Sequence, residues 1–417
     1  MSAHDVIPPS QHRARGARQP AMTTPTRTDD EQARIDLVAE KHVQARDLLK
    51  RFDLDCWLTF TREGSDLLLP FVTGGDSLVG TAALMVFAEG PSVAIVADYD
   101  RGQVDGVFDE VHAYGLDWRE PFRDVLTSRA PRQVAINTSR DDHGIDGLTH
   151  GLWLLLRETL EPLGMADRLV PAEPVAERVR ALKTPAEVER IRRACDITVR
   201  IFDDLTGMLR PGLTETDVHA ILVERMTAYE VGPAWDAAYC PSVSTSRGVG
   251  GHNAPGLLAI EPGDALRVDF GVRHEGYCSD LQRTWYFPSA ADPTPPAAIA
   301  RPFDAVRDGI LLAAKLLAPG RTGVEVDTPV RSLVAERGFT FTHALGHQLG
   351  RLCHDGGMLL GPDNARYRDR SHGTVEAGMV FTLEPCVGPI GLEEDVLVTD
   401  RGIEFLVPPQ HELIIIS

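Results

Sequence analysis

Two stretches of this chain each set a pair of carboxylates face to face across a hairpin, inside apolar strands. Such a pattern resists folding unless something cationic answers it. The first stretch is Arg267–Asp280, RVDFGVRHEGYCSD. With its turn centred on His274–Glu275, Asp269 and Asp280 become direct cross-strand neighbours, Cβ atoms roughly 5 Å apart on one face, unless a bulge at Gly276 shifts the register. The second is Phe381–Glu393, FTLEPCVGPIGLE. A turn at Gly388–Pro389 sets Glu384 opposite Glu393. Like charges in such positions destabilise each sheet by up to about 1 kcal/mol. One such pair would be read as solvated or matched by an arginine. Two pairs in apolar settings (Val268–Asp269–Phe270, Leu383–Glu384–Pro385) point to metal.

A third stretch, Thr342–His354, holds His343, His347 and His354. Gly346 and Gly350 argue against a regular helix, so His343 and His347 need not share a helical face. One histidine here would read as an ordinary core residue; three together are harder to dismiss. The charge of four carboxylates matches that of two divalent cations, and the oxygen-rich set suits manganese, cobalt or zinc.

Composition removes other classes. Lys+Arg 42 against Asp+Glu 61 leave a net charge of −19, which repels a phosphate backbone and excludes nucleic acid as the expected partner. No run reaches the roughly 18 apolar residues of a membrane span, and the start lacks the apolar centre of a signal peptide. Six scattered cysteines without a C-x-x-C pair suit reduced thiols in a cytoplasmic protein.

At 417 residues the chain exceeds one ordinary core, so two domains are expected. Residues 1–28 read as a polar disordered tail, with Met22 as an alternative start. Apolar spacing over Ile35–Leu49 predicts a helix. Strands are expected at Cys56–Phe60, Ala82–Phe87, Val93–Val96, Val111–Tyr114 and Val134–Ile136, with a hairpin turn at Glu89–Pro91 and a helix over Gly147–Leu160. Thr73–Asp76 reads as a turn, not a phosphate cradle. Residues 174–210 read as helix broken at Pro185, with Thr184 as N-cap. These features give an α/β N-terminal domain over 29–180 and a second, α+β domain over 181–417. The latter is expected to hold a helix over Thr214–Tyr229, one around Ala305–Leu317 and the two hairpins.

Asp269, Asp280, His347, Glu384 and Glu393, in this order, resemble the five ligands of the metal-dependent creatinase/aminopeptidase clan, the pita-bread peptidases. Pro262–Asp264, Ser279–Asp280, Arg283–Thr284, Glu393–Thr399 and the entrance helix Arg180–Glu187 extend the likeness, the last being similar to prolidases. His252, His343 and His354 match the clan's other histidines. The resemblance implies a pita-bread fold and two divalent ions. Asp269 would hold one ion and His347 and Glu384 the other, with Asp280 and Glu393 bridging. Glu384 would also be the general base, while His252 and His354 would bond the scissile peptide and its oxyanion, and His343 would contact substrate.

The implied substrate is a small peptide with proline second, cleaved at the Xaa–Pro bond as a prolidase does, by a homodimer. An Xaa-Pro aminopeptidase of longer peptides, a creatinase-like C–N hydrolase and a non-catalytic interaction protein stay open. Three positions depart from the clan's pattern: Gly391 replaces an arginine, Gln282 a threonine and Gln348 a glycine. Arg283 and Arg351 are the candidates to restore that cation. Trp235, Trp285, Tyr277 and Tyr286 are read either as a proline pocket or as core. Cys278, Cys353 and Cys386 are read as small buried fillers, Asp395 as support for the ligands, and His274 and His411 as solvent-facing.

Overall fold

The computed structural model describes residues 28–248 and 254–416. The tail expected over 1–28 therefore lies outside it except for Thr28. That residue caps the first helix, Asp29–Arg51, by accepting from Glu31 N, with three acidic residues in the first turn.

The N-terminal half is built on six strands: β1 (Cys56–Thr61), β2 (Ala82–Phe87), β3 (Val93–Ala97), β4 (Glu110–Tyr114), β5 (Val134–Ile136) and β6 (Leu169–Pro171). Their order is β4-β3-β2-β1-β5-β6, with β1–β2 and β2–β3 antiparallel and the other pairs parallel. Every residue of β1 is buried because both faces of the sheet are covered. Trp57 packs with Leu49 and Val175, from the helices Asp29–Arg51 and Glu173–Ala181, on one face. Leu58 and Phe60 pack with Phe122 and Leu156, from Arg119–Arg129 and His150–Leu160, on the other.

Pro185 opens the next helix, Pro185–Thr206, instead of merely breaking one. Its ring sits at the first helical turn, where the missing N–H is no loss, and Thr184 with Glu187 forms a reciprocal capping box. Three buried contacts tie this junction to the rest. Lys41 Nζ meets Glu187 at 2.7 Å, Lys183 Nζ meets Asp355 at 3.0 Å, and Arg180 pairs with Asp142 at 3.0 Å.

The C-terminal half has two matching layers. In one, the strands Ser242–Thr245, Ala265–Phe270, Leu281–Tyr286 and Ile414–Ile415 pack against Pro185–Thr206 and Glu215–Ala228. In the other, Val380–Leu383, Glu394–Thr399 and Gly402–Phe405 pack against Ala297–Leu316 and Gly323–Glu336. The sequence reading expected one helix in the latter region; the structure has two. Gly323–Glu336 carries its own capping box, Thr322 with Glu325, and accommodates Pro329 inside it. Among the described residues one bridge, Gln282 to Glu393, joins the two layers. No helix among the described residues is long and apolar enough to cross a membrane.

Candidate metal centre

The bridge between the layers also assembles the acidic cluster. Val387 pairs with Ile390 and Leu383 with Glu394, so Glu384 stands opposite Glu393 with Gly388–Pro389 at the turn, the expected register. The first hairpin differs. His274 pairs with Tyr277 and Asp269 with Gln282, so Asp280 stands diagonal to Asp269 and not opposite it. The turn is Glu275–Gly276, both with positive φ (48° and 80°), as a two-residue turn matching the strand twist requires. No residue is inserted as a bulge. The correction moves each partner by two positions, which keeps Asp269 and Asp280 on the same face.

One row therefore crosses four strands: Asp269, Gln282, Glu393 and Glu384. Asp280 and His347 close over it. His347 Nε2 lies 3.6 Å from Asp280 Oδ2 and 3.6 Å from Glu384 Oε1, and donor atoms of Asp280, His347 and Glu393 lie within 4.8 Å of one another. His347 is held by a bond from its backbone N to Thr382 Oγ1 at 3.2 Å. Asp395 supports the cluster from below: its Oδ2 accepts from Asp280 N at 2.9 Å and from the Cys195 thiol at 3.2 Å.

The charges in this space oppose one another. Burial, then repulsion from Asp280, pushes the Asp269 carboxyl up to about 8. Burial lifts Glu384 to about 7 against the pull of His347, and lifts Glu393 well above the carboxylate range. Burial works against a charge on His347, yet Asp280 and Glu384 hold it up at about 9. Asp280 Oδ1 and Glu393 Oε1 are buried with no hydrogen-bond partner. Lone oxygens on crowded carboxylates, with one imidazole beside them, fit a divalent cation and fit little else.

Two cavities meet here, sharing Asp269, His347, His354 and Glu384. The smaller, about 340 Å³, adds Trp235, Asp236, Tyr239 and Cys353. The larger, about 670 Å³, adds His343, Phe341, Arg267 and Gln282 among others. The His354 ring packs against that of His347 at a tilt of 44°, with centroids 4.4 Å apart. His343 lines the larger cavity only. His252 lies outside the described residues.

The remaining sequence candidates divide clearly. Of the four aromatics only Trp235 reaches a cavity; Trp285, Tyr277 and Tyr286 are core. Arg283 does not supply a cation to the site. It donates two buried hydrogen bonds to the Glu394 carboxylate at 3.0 and 3.1 Å, on the opposite side of the strand from Glu393. Arg351 does not either: it lies over the Tyr277 ring and near Asp76, and lines neither cavity. Gln348 is buried against Met358 O. Cys353 is buried as expected, but its thiol lies in the cavity and donates to Asp280 Oδ2 at 2.9 Å. Sequence reasoning missed Asp236, which stands in no recognisable motif, and passed over Arg267, two residues before Asp269 on the same strand.

Comparison with known proteins agrees with this geometry. The profile of metallopeptidase family M24, a family of divalent-metal-dependent peptidases, matches residues 189–400. The chain is 28% identical over 356 residues to an uncharacterized peptidase of Bacillus subtilis, YqhT, covering 83% of this chain and 92% of that one. Among solved structures, an X-Pro aminopeptidase from Thermotoga maritima superposes with TM-score 0.69 at 23% identity, over 88% of this chain and 99% of its own. An Xaa-Pro dipeptidase from Bacillus anthracis gives 0.71 at 22%, over 91% and 99%. The fold is thus an α/β N-terminal domain followed by an α+β pita-bread catalytic domain, and the chain belongs to metallopeptidase family M24.

Proposed function

We propose that this metallopeptidase hydrolyses Xaa–Pro bonds, with dipeptides as its preferred substrates, and that it works with two divalent ions of manganese, cobalt or zinc. The observation that carries this reading is the set of buried, unpartnered carboxylate oxygens on Asp280 and Glu393 beside Asp269, Glu384 and His347. These five residues would hold the ions. Bound divalent ions polarise a scissile carbonyl and lower the pKa of an attacking water.

The chain's own groups do the rest. Glu384, 22% exposed on the wall shared by both cavities, takes the proton from the water at a carboxylate oxygen and returns it to the leaving nitrogen. His354 stands on the same wall and donates to the developing oxyanion, a role shared by His252 in the sequence reading. His343 orients the substrate within the larger cavity, and Trp235 offers an apolar wall for the proline ring. The solved relatives named for X-Pro and Xaa-Pro cleavage support the choice of bond. Six unpaired thiols suit a reducing, cytoplasmic setting, and the family resemblance of the N-terminal domain supports reading the protein as a homodimer.

An aminopeptidase of longer peptides is the second reading. The size of the cavity beyond Glu384 favours it. Turnover of Ala-Pro against Ala-Pro-containing tri- and tetrapeptides, with each metal, decides. Faster turnover of the dipeptide is expected; the reverse order assigns an aminopeptidase. Full activity in metal-free protein would point to a creatinase-like C–N hydrolase, and no hydrolysis with any metal to an interaction protein. Sedimentation in solution checks the dimer.

A further inference from the structure

The two cavities that meet at Glu384 differ in charge. The smaller adds Asp236 to the acidic cluster, whereas the larger adds Arg267, Arg366 and Arg370. Arg366 and Arg370 are exposed; Arg267 is only 5% exposed. Strand pairing explains its position. Next to the row Asp269, Gln282, Glu393, Glu384 runs a second one: Arg267 pairs with Thr284, Thr284 Oγ1 donates to Gly391 O at 2.7 Å, and Gly391 pairs with Cys386. Each member lies two residues from its counterpart, so both rows share a face.

Gly391 is the gap in this second row. A Cβ there would come within 1.8 Å of Gln282 Oε1 and 3.2 Å of Arg267 Cδ. Gln282 and Arg267 thus share the volume that a side chain at 391 would take, and the departures at 282 and 391 are two halves of one packing solution. Neither group is saturated. Gln282 Oε1 is buried without a partner. Arg267 forms no ion pair among the described residues; its guanidinium donates to the Cys386 thiol at 2.8 Å, a weak acceptor. Asp269, two residues away on the same face, feels the charge of Arg267 but does not bond it; a buried guanidinium bonded to no carboxylate is costly, and its planar fork is shaped to take one.

We infer that Arg267 receives the carboxylate at the C-terminal end of the substrate, with Gln282 as the residue that positions it over Gly391. The inference rests on the peptidase reading above and names which end of the peptide enters which cavity. The ammonium end faces Asp236 and the acidic cluster, the scissile bond lies by Glu384 and His354, and the carboxylate lies by Arg267. A dipeptide presents its charge there; a longer peptide presents a neutral amide.

The test compares metal-loaded wild type, Arg267→Lys and Arg267→Met on Ala-Pro and on its C-terminal amide, with calorimetric binding of proline and prolinamide. Wild type is expected to favour the free acid in both assays. Arg267→Met should lose about 10–100-fold in kcat/KM on Ala-Pro, mainly through KM, and little on the amide, as loss of one charge-assisted contact predicts. Arg267→Lys should fall between, with metal content unchanged. Equal losses on acid and amide overturn the inference and leave Arg267 as charge balance for Asp269. A wild type that binds proline and prolinamide equally, or neither, overturns it without any variant. Discrimination in calorimetry without Xaa–Pro hydrolysis would instead sink the peptidase reading and keep the carboxylate site.

Discussion

Asp66, in the loop that follows β1 of the N-terminal half, and Glu393 in the catalytic half are both buried carboxylates, and burial raises both, Asp66 to about 6. Their surroundings differ. Asp66 accepts from Asn137 Nδ2 at 2.8 Å and from Leu68 N at 2.9 Å, and Asn137 Oδ1 in turn accepts from Trp57 Nε1 at 2.7 Å. This is a closed polar network of the kind that fixes a core. Glu393 Oε1, Asp280 Oδ1 and Asp395 Oδ1 have no such partners and face one another's charge. Burial and a raised pKa are therefore shared by structural and functional acids. What separates them is whether the protein itself completes their bonding.

The largest expected effect breaks the contrast outright. Chelation should abolish peptidase activity, by at least about 10³-fold, with recovery on adding metal back. It should also lower the thermal transition of the catalytic half while leaving the N-terminal sheet unchanged; calorimetry with parallel activity assays reads both. Arg283→Met should cost about 3–5 kcal/mol in denaturant unfolding, because it strands buried Glu394 without its partner. That loss would show that the catalytic half also contains acids the protein completes by itself.

A pH series probes the N-terminal half. Burial lowers His42 to about 4, so the unfolded chain takes up a proton below about 6.5 before the folded one does. Stability from His42 is thus present above that pH and is lost as pH falls. Wild type should lose about 2 kcal/mol relative to His42→Asn between pH 7 and pH 5. The smallest effects carry opposite signs. Glu393→Gln should stabilise the metal-free protein by about 1–2 kcal/mol while abolishing activity, whereas Asp66→Asn should destabilise by about 1 kcal/mol. Equal signs in urea titrations would erase the distinction between the two acids.

The donor set was legible because hairpin register follows from turn chemistry. Gly388–Pro389 allows one centre, and Glu384 faces Glu393 accordingly. In the other hairpin the sequence reading passed over the better turn. Glu275–Gly276 places glycine second, where both residues take positive φ, while His274–Glu275 does not. The error was harmless to the site since a shift of two keeps the face. Arg267 was not legible, because its role depends on which strand lies beside Gly391, and the Gln282–Glu393 bridge joins segments far apart in the chain. The helix Gly323–Glu336, which the sequence reading passed over, carried a signal in Thr322 and Glu325, the two residues of its capping box.

That bridge has a consequence during synthesis. Asp269 and Asp280 leave the ribosome well before Glu384 and Glu393, and although Ser242–Thr245 already pairs with the early hairpin, the bridge from Gln282 to Glu393 cannot form until the late one arrives. A nascent chain therefore exposes its first acids to cellular cations before any pocket exists to choose among them. Selection of the ion belongs to the fully assembled cluster.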